Sequence, residues 1–555
     1  MDTAMAMAMV MGMVTVMVQT VLEQGPAACV AHGQRRQTLA LDGDALLAWG
    51  RRALRRPGLV SPLVIALACA ATPARAANWT IQPSIQVMET LTDNLYLSSS
   101  SDKTGDLVTA ITPGISIKGE GSRAKLRLAY GYTEQLYLRE SNQRNSQNSL
   151  RAIGALEAVE DFFFIDATGT ISQQYLSAFG AVSPSTANVN NNQTETSNYS
   201  LSPYVRGTML GWVDYLVRYR RATTSSQSNL ASDYDVSEWT GVLDGTTRWS
   251  HISWALNASH VQNTYSRGRD TDGSHYGITL SYRFSPQFQV SLLGGRESNN
   301  YVSLDQETNF TRGFGVDWTP DLRTQLAATV QNRFFGTGYD VNFRHRMRRS
   351  LVTFLASRNV TSQPSGVSNT GLGSNYDASY ALIAASNPEL SPSEIAAQTT
   401  ESLQSRGLPA DGTVVNGYLT DRQQVQELQQ LSFAMLGVRN TVTLTATRSE
   451  QQPLGLVNGV TNNFSLPDRV LQQGVGISWG HKLTGISSLS LSLSQQRSTG
   501  YTAGSPETET QYANLLFSTR IGPNTSANVG ARRVISSGVS SYTESALTAA
   551  LFHSF

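Results

Sequence analysis

The C-terminal sequence YTESALTAALFHSF, residues 542–555, decides the fold of this chain. Counted back from Phe555 in steps of two, one face carries Leu551 and Leu547, while Glu544 lies on the opposite face. A strand of a membrane barrel needs this period of two, because one face meets lipid and the other meets a polar lumen. The stretch therefore predicts the closing strand of a transmembrane β-barrel. An edge strand at a chain end is the alternative.

The same residues predict how such a barrel is inserted. A terminal aromatic residue, Phe555, above apolar Leu551 and Leu547 resembles the C-terminal signal by which bacterial outer-membrane barrels are recognised. His553 fits this signal less well than an apolar residue would. We expect the barrel-assembly machinery and outer-membrane lipid as partners.

The composition agrees with a barrel of one domain over residues 77–555. Of all residues 40% are hydrophobic and 15% are charged. After the N-terminal region the apolar residues are dispersed, and no run approaches the ~20 apolar residues of a membrane helix. The formal net charge is only +1, which argues against nucleic acid as a partner.

The N-terminal region predicts export. Residues 51–76 combine a basic start with four arginines at positions 51–56, an apolar segment and a small-x-small ending. This is the pattern of a signal peptide cleaved between Ala76 and Ala77. Acylation of Cys69 is the alternative. Both cysteines, Cys29 and Cys69, precede the cleavage site, so the mature chain has neither a disulfide nor a cysteine ligand. We interpret residues 1–50 as sequence upstream of the true translation start.

Alternating half-apolar segments recur along the mature chain, as at Leu489, Leu491 and Leu493 between serines. Their connections alternate between short turns and longer polar stretches, which is the asymmetry of outer-membrane barrels with both termini in the periplasm. The sequence predicts an all-β, antiparallel transmembrane barrel of about 22 strands, within a range of 18 to 24.

One insert interrupts this pattern at residues 361–429. The sequence Ser391, Pro392, Ser393, Glu394 predicts a helix over residues 392–406, and a second helix is expected over residues 419–429. The barrel should therefore carry a partly helical long loop. This insert lies outside the barrel or folds into its mouth as a partial plug.

No catalytic or metal-binding motif is apparent, and we expect neither an enzyme nor a cofactor. The glycine-rich stretch at residues 474–480 alternates small residues with Val475, Ile477 and Trp479, which favours a barrel strand over a nucleotide loop. The alternative is an enzyme whose active site combines acidic residues, His and Ser at the ends of the strands.

Alternation also predicts a set of arginines that face the lumen: Arg127, Arg218, Arg220, Arg333, Arg344 and Arg346. Guanidinium groups in a lumen favour anionic solutes and bind sugars. Alternatively they pair with lumenal acids such as Asp214 and Asp340 and brace the wall. Both interpretations remain open at this point.

Three short stretches resemble the PEP-CTERM system-associated outer membrane protein family: residues 91–97 with 112–117, residues 333–349, and residues 437–441. The resemblance covers residues 77–555 and supplies no functional residues. It implies an outer-membrane barrel that serves exopolysaccharide export or surface-protein display beside an exosortase system.

From this resemblance we expect a porin-like conduit or accessory, with exopolysaccharide and periplasmic export components as partners. The alternative is a non-conducting structural or docking barrel that displays external loops.

Overall fold

The computed structural model describes residues 78–228, 232–247, 251–361, 418–419, 423–454, 469–501 and 504–555. The predicted signal peptide, with Ala76 and Ala77, and the predicted helix at residues 392–406 lie outside these ranges. The described residues hold no helix long and apolar enough to cross a membrane.

The described regular structure consists of strands. The first eleven are β1 (Asn78–Thr92), β2 (Asp106–Glu120), β3 (Ala124–Tyr137), β4 (Arg144–Val159), β5 (Phe163–Tyr175), β6 (Gln193–Met209), β7 (Val213–Ser226), β8 (Tyr234–Thr246), β9 (Ile252–Tyr265), β10 (Thr271–Ser285) and β11 (Phe288–Asn299). The other eleven are β12 (Glu307–Asp321), β13 (Thr324–Arg333), β14 (Gly336–Arg346), β15 (Ser350–Thr361), β16 (Gln424–Leu436), β17 (Asn440–Pro453), β18 (Val470–Lys482), β19 (Ser487–Gly500), β20 (Glu507–Gly522), β21 (Thr525–Gly538) and β22 (Tyr542–Ser554).

These 22 strands form one closed antiparallel sheet. Each strand pairs with its neighbours in sequence, and β22 pairs with β1 from Ser84 opposite Ser554 to Thr92 opposite Ala546. Closure leaves no strand edge unpaired, as a sheet in lipid requires. The predicted barrel, its strand number and the closing role of residues 542–555 are confirmed.

The two faces of the wall differ as the alternation predicts. On β10 the exposed residues Tyr276, Ile278, Leu280, Tyr282 and Phe284 point outward, and small or polar residues alternate with them. On β22 Leu547, Leu551 and the terminal Phe555 are exposed on the outer face. An apolar outer belt on a closed barrel meets lipid, so the protein is a β-barrel of the outer membrane.

The two ends of the barrel have different connections. The end that contains Asn78 and Ser554, which we name the turn end, has only short turns in the described chain, such as residues 210–212 and 286–287. Leu210 and Gly211 both have positive φ, at 57° and 76°, as a tight hairpin turn requires. The opposite, loop end carries most of the long connections.

The start of β16 corrects one expectation. The second helix, expected over residues 419–429, is wrong from Gln424 onward, because Gln424 pairs with Thr361 and opens β16. Gln, Glu and Leu are good helix formers, but pairing with β15 and β17 outweighs that local preference. The insert therefore ends before Gln424.

Candidate functional site at the barrel mouth

All six predicted arginines lie on the inner parity of their strands, and four of them form ion pairs. The pairs are Arg127 with Glu120 at 3.3 Å, Arg218 with Asp166 at 3.4 Å, Arg220 with Glu238 at 2.8 Å, and Arg333 with Glu297 at 2.8 Å. The partners are not Asp214 and Asp340, which the sequence had suggested. These four arginines are placed to brace the wall.

Arg344 and Arg346 lie next to each other on one strand. They follow each other on the inner face of β14, where Arg344 lies opposite Gln325 and Thr353. Arg344 forms no ion pair with any carboxylate of the described residues. Arg344 therefore gives this part of the inner wall a local positive charge.

A stack of aromatic rings and guanidinium groups lies on the inner wall toward the turn end. The rings of Phe164 and Tyr204 are 5.1 Å apart and nearly parallel. Arg206 lies 4.4 Å above the Phe164 ring, and Arg218 lies 4.3 Å above the Tyr204 ring. Sequence reasoning missed this stack, although the inward parity of Phe164 and Tyr204 could have indicated it.

The connection between β5 and β6, residues 176–192, folds inward at the loop end of the barrel. We name it the mouth loop. Its carbonyl groups accept hydrogen bonds from distant strands: Thr508 Oγ1 donates to Phe179 O at 3.0 Å, and Gln135 Nε2 donates to Thr186 O at 2.7 Å. The Tyr542 hydroxyl donates to Val182 O. The loop thus spans from β3 to β20 across the inner side of the seam where β1 meets β22.

Apolar packing holds the mouth loop as well. Ala187 packs with Leu95, Val108 and Tyr137, and all four side chains are buried. At the other end of the loop, Ala178 and Phe179 pack against Tyr418 and Val470. Burial at both ends makes the mouth loop part of the folded wall.

A buried carboxylate anchors the mouth loop to the closing strand. Glu544 is fully buried, and Arg532 of β21 donates to it through Nη2 at 2.8 Å and Nε at 3.1 Å. Asn188 Nδ2 of the mouth loop and Thr92 Oγ1 of β1 donate to the same carboxylate at 3.0 and 2.9 Å. One side chain therefore joins the mouth loop, the barrel seam and β21.

The last part of the insert reaches the same place. Tyr418 forms an isolated parallel bridge with Tyr175, and Leu419 N donates to Tyr175 O at 2.9 Å. Burial raises the pKa of the Tyr418 phenol above its usual range. Tyr418 and Leu419 thus lie in the mouth beside the mouth loop, and the preceding residues 362–417 lie outside the described chain.

The described residues bring together no group of three or more His, Cys, Asp or Glu that could hold a metal ion. The arrangement instead offers positive charge on the inner wall and a loop that narrows the mouth.

Comparison with known proteins gives likeness of structure only. No family model matches the sequence. No curated protein matches it either. Among solved structures, the siderophore receptor PirA from Acinetobacter baumannii matches 87% of this chain and 81% of its own, at 8% identity and a TM-score of 0.46.

Two further structures match in a similar way. BauA, the ferric preacinetobactin receptor from Acinetobacter baumannii, matches 86% of this chain and 80% of its own, with 10% identity and a TM-score of 0.45. The FrpB iron transporter from Neisseria meningitidis matches 85% of this chain and 82% of its own, with 8% identity and a TM-score of 0.44. These matches assign no function to this chain.

Proposed function

We propose that this barrel is a gated conduit, or an accessory to one, for an anionic exopolysaccharide, in an exosortase-associated surface system. The resemblance at residues 91–97, 112–117 and 437–441 supports the choice of system. The positive charge on the inner wall supports an anionic cargo. The position of the mouth loop supports a conduit that can close.

The observation that carries the proposal is Arg344 on the inner wall, with Arg346 beside it. Arg344 has no carboxylate partner among the described residues, so its charge is available to a passing anion. Guanidinium groups hydrogen-bond to carboxylates and to sugar hydroxyls, and the walls of a lumen focus the field of such groups on the solute.

The mouth loop supports the second part of the proposal. It is bound to the wall by hydrogen bonds to its carbonyl groups and by the hydrogen bond from Asn188 to the buried Glu544. Apolar packing adds contacts at both ends of the loop, so opening has to release both kinds of contact. A conduit for a polymer has to close when no polymer is present. The mouth loop and Tyr418 occupy the place where such closure is needed.

The experiment is ion selectivity of the refolded barrel in planar bilayers. The variant Arg344→Gln with Arg346→Gln should reduce anion selectivity. The matched control is Arg220→Gln with Glu238→Gln, which removes one ion pair and leaves the total charge of the lumen unchanged. Equal selectivity in the two variants would contradict the role of Arg344 and Arg346.

The second candidate is a docking barrel that does not conduct. It is favoured by the packing of the mouth loop and of Tyr418 in the mouth. A combined variant, with residues 362–417 shortened and Asn188→Ala to weaken the mouth loop, distinguishes the two candidates. Its conductance is measured in planar bilayers. A barrel that stays closed in the combined variant is a docking barrel, whereas step-like opening supports the conduit.

A further inference from the structure

A groove runs over the outer surface of the barrel across the seam. It encloses about 830 Å³. Its walls are outward side chains of β19 to β22, of β1 and β2 and of the residues that follow β3, and residues of inward parity lie between them. The groove is therefore separate from the lumen and from the mouth loop.

One row of apolar side chains forms the length of the groove. Leu91 lies opposite Leu107 on one side and opposite Leu547 on the other. The row continues through Ala531 and Leu515 to Leu491. Leu138 extends it onto β3, since Leu138 N donates to Leu107 O at 3.1 Å.

This row is inclined through the membrane. Leu138 follows the loop end of β3, and Leu91 is next to the last residue of β1. Leu491 instead lies deep inside β19 (Ser487–Gly500). The cause is the stagger of neighbouring strands that closure of a tilted sheet imposes. At about 4.8 Å between strands the row is about 29 Å long, and at a strand tilt of about 40° it descends about 19 Å into a hydrocarbon core that is ~30 Å thick.

The next row toward the loop end is small or charged. Ser545 lies opposite Arg533, and Arg533 lies opposite Ala513. The small side chains of Ser545 and Ala513 keep the groove open beside the leucines. The row then reaches Asp93, whose backbone N donates to Ser545 O at 3.1 Å.

Two guanidinium groups at this rim have no carboxylate partner among the described residues. Arg533 donates only to Ser545 Oγ at 3.3 Å, and Arg139 donates to Gly105 O at 3.3 Å. Both side chains are exposed. Asp93 is already paired with Lys103 at 2.9 Å. The buried carboxylate of Asp106 also lines the groove and accepts from the backbone N of Arg139. Two guanidinium groups outnumber this one carboxylate, so the rim carries net positive charge.

We propose that this groove binds an acyl lipid with an anionic phosphate headgroup from the surrounding leaflet. An acyl chain fits the inclined apolar row, because the row starts at the loop end and descends into the hydrocarbon region. The phosphate lies at the rim, where Arg533 and Arg139 donate charge-assisted hydrogen bonds to it. The lipid covers the seam between β1 and β22 from outside.

The test is retention of lipid by the full-length mature barrel, measured by native mass spectrometry in detergent. The two added lipids are dimyristoyl phosphatidylglycerol and dimyristoyl phosphatidylcholine, which share acyl chains and differ in net charge. The unmodified barrel should retain the phosphatidylglycerol in preference.

Arg139→Gln with Arg533→Gln should lower this preference about tenfold, a factor that corresponds to about 1.4 kcal/mol. The matched control is Arg296→Gln with Arg312→Gln, since these two arginines are also exposed but lie on the outer face of β11 and β12, away from the groove. The control should keep the preference. Equal loss in both variants would overturn the proposal, because any surface arginine would then suffice.

A third variant tests the apolar part. Ala531→Phe places a lipid-compatible ring in the groove and leaves the arginines intact, so retention of both lipids should fall. Unchanged retention in this variant would show that the acyl chain does not lie in the groove, and the proposal would fail.

Discussion

Replacement of Glu544 by Gln should destabilise this barrel more than replacement of any comparable lumenal acid. The Glu544 side chain is 0% exposed and the Arg532 side chain is 8% exposed, so water cannot compensate for a lost partner. Gln has the shape of Glu, but it lacks the negative charge. Its amide nitrogen would also face the groups that donate hydrogen bonds to Glu544. Loss of one partner of a buried pair costs about 3–5 kcal/mol, because the other charge is left uncompensated.

The assay is unfolding by guanidinium of the barrel refolded in lipid vesicles, followed by tryptophan fluorescence, with stability taken from the linear dependence on denaturant. Limited digestion with chymotrypsin reports the mouth loop separately, since Phe179 is only 4% exposed while that loop is packed. Glu544→Gln should both lower the free energy of unfolding and expose the bond after Phe179.

The control is Glu238→Gln. Glu238 also pairs with an arginine of the neighbouring strand, Arg220, but the two side chains are 27% and 22% exposed. A pair so open to water contributes about 1 kcal/mol or less. A double variant, Arg532→Met with Glu544→Leu, should recover much of the loss, because no charge is then left buried alone. Equal costs for Glu544→Gln and Glu238→Gln would refute the reasoning.

Three other outcomes are expected. Leu491→Arg, on the lipid face of β19, should cost about 2–4 kcal/mol in the same titration, whereas Thr329→Arg, which is exposed on the inner face of β13, should be tolerated; the opposite ranking would mean that the faces are exchanged. Deletion of Phe555, whose side chain is 69% exposed, should reduce the heat-modifiable folded form in the outer membrane far more than deletion of a loop residue. N-terminal sequencing of the mature protein should return Ala77, and an acylated Cys69 would contradict the predicted cleavage.

The sequence by itself determined the strands, the turns and the two faces of the wall. Leu547 and Leu551 could be assigned to lipid because alternation is a local property, which each strand carries in its own residues. The same argument placed Arg127, Arg218 and the other four arginines on the inner face. Prediction from local sequence failed at Gln424. Residues that favour helices form a strand there, because they pair with β15 and β17.

The tertiary structure alone decided which side chains meet. Arg333 pairs with Glu297 across an intervening strand, and Asn188 reaches Glu544 although 356 positions separate them in the chain. Such partners depend on the register of every strand pair and on closure between β1 and β22, because the stagger accumulates around the barrel. The residues of one strand alone do not determine this accumulated stagger. The anchored mouth loop and the inclined outer groove therefore exist only once the sheet is closed.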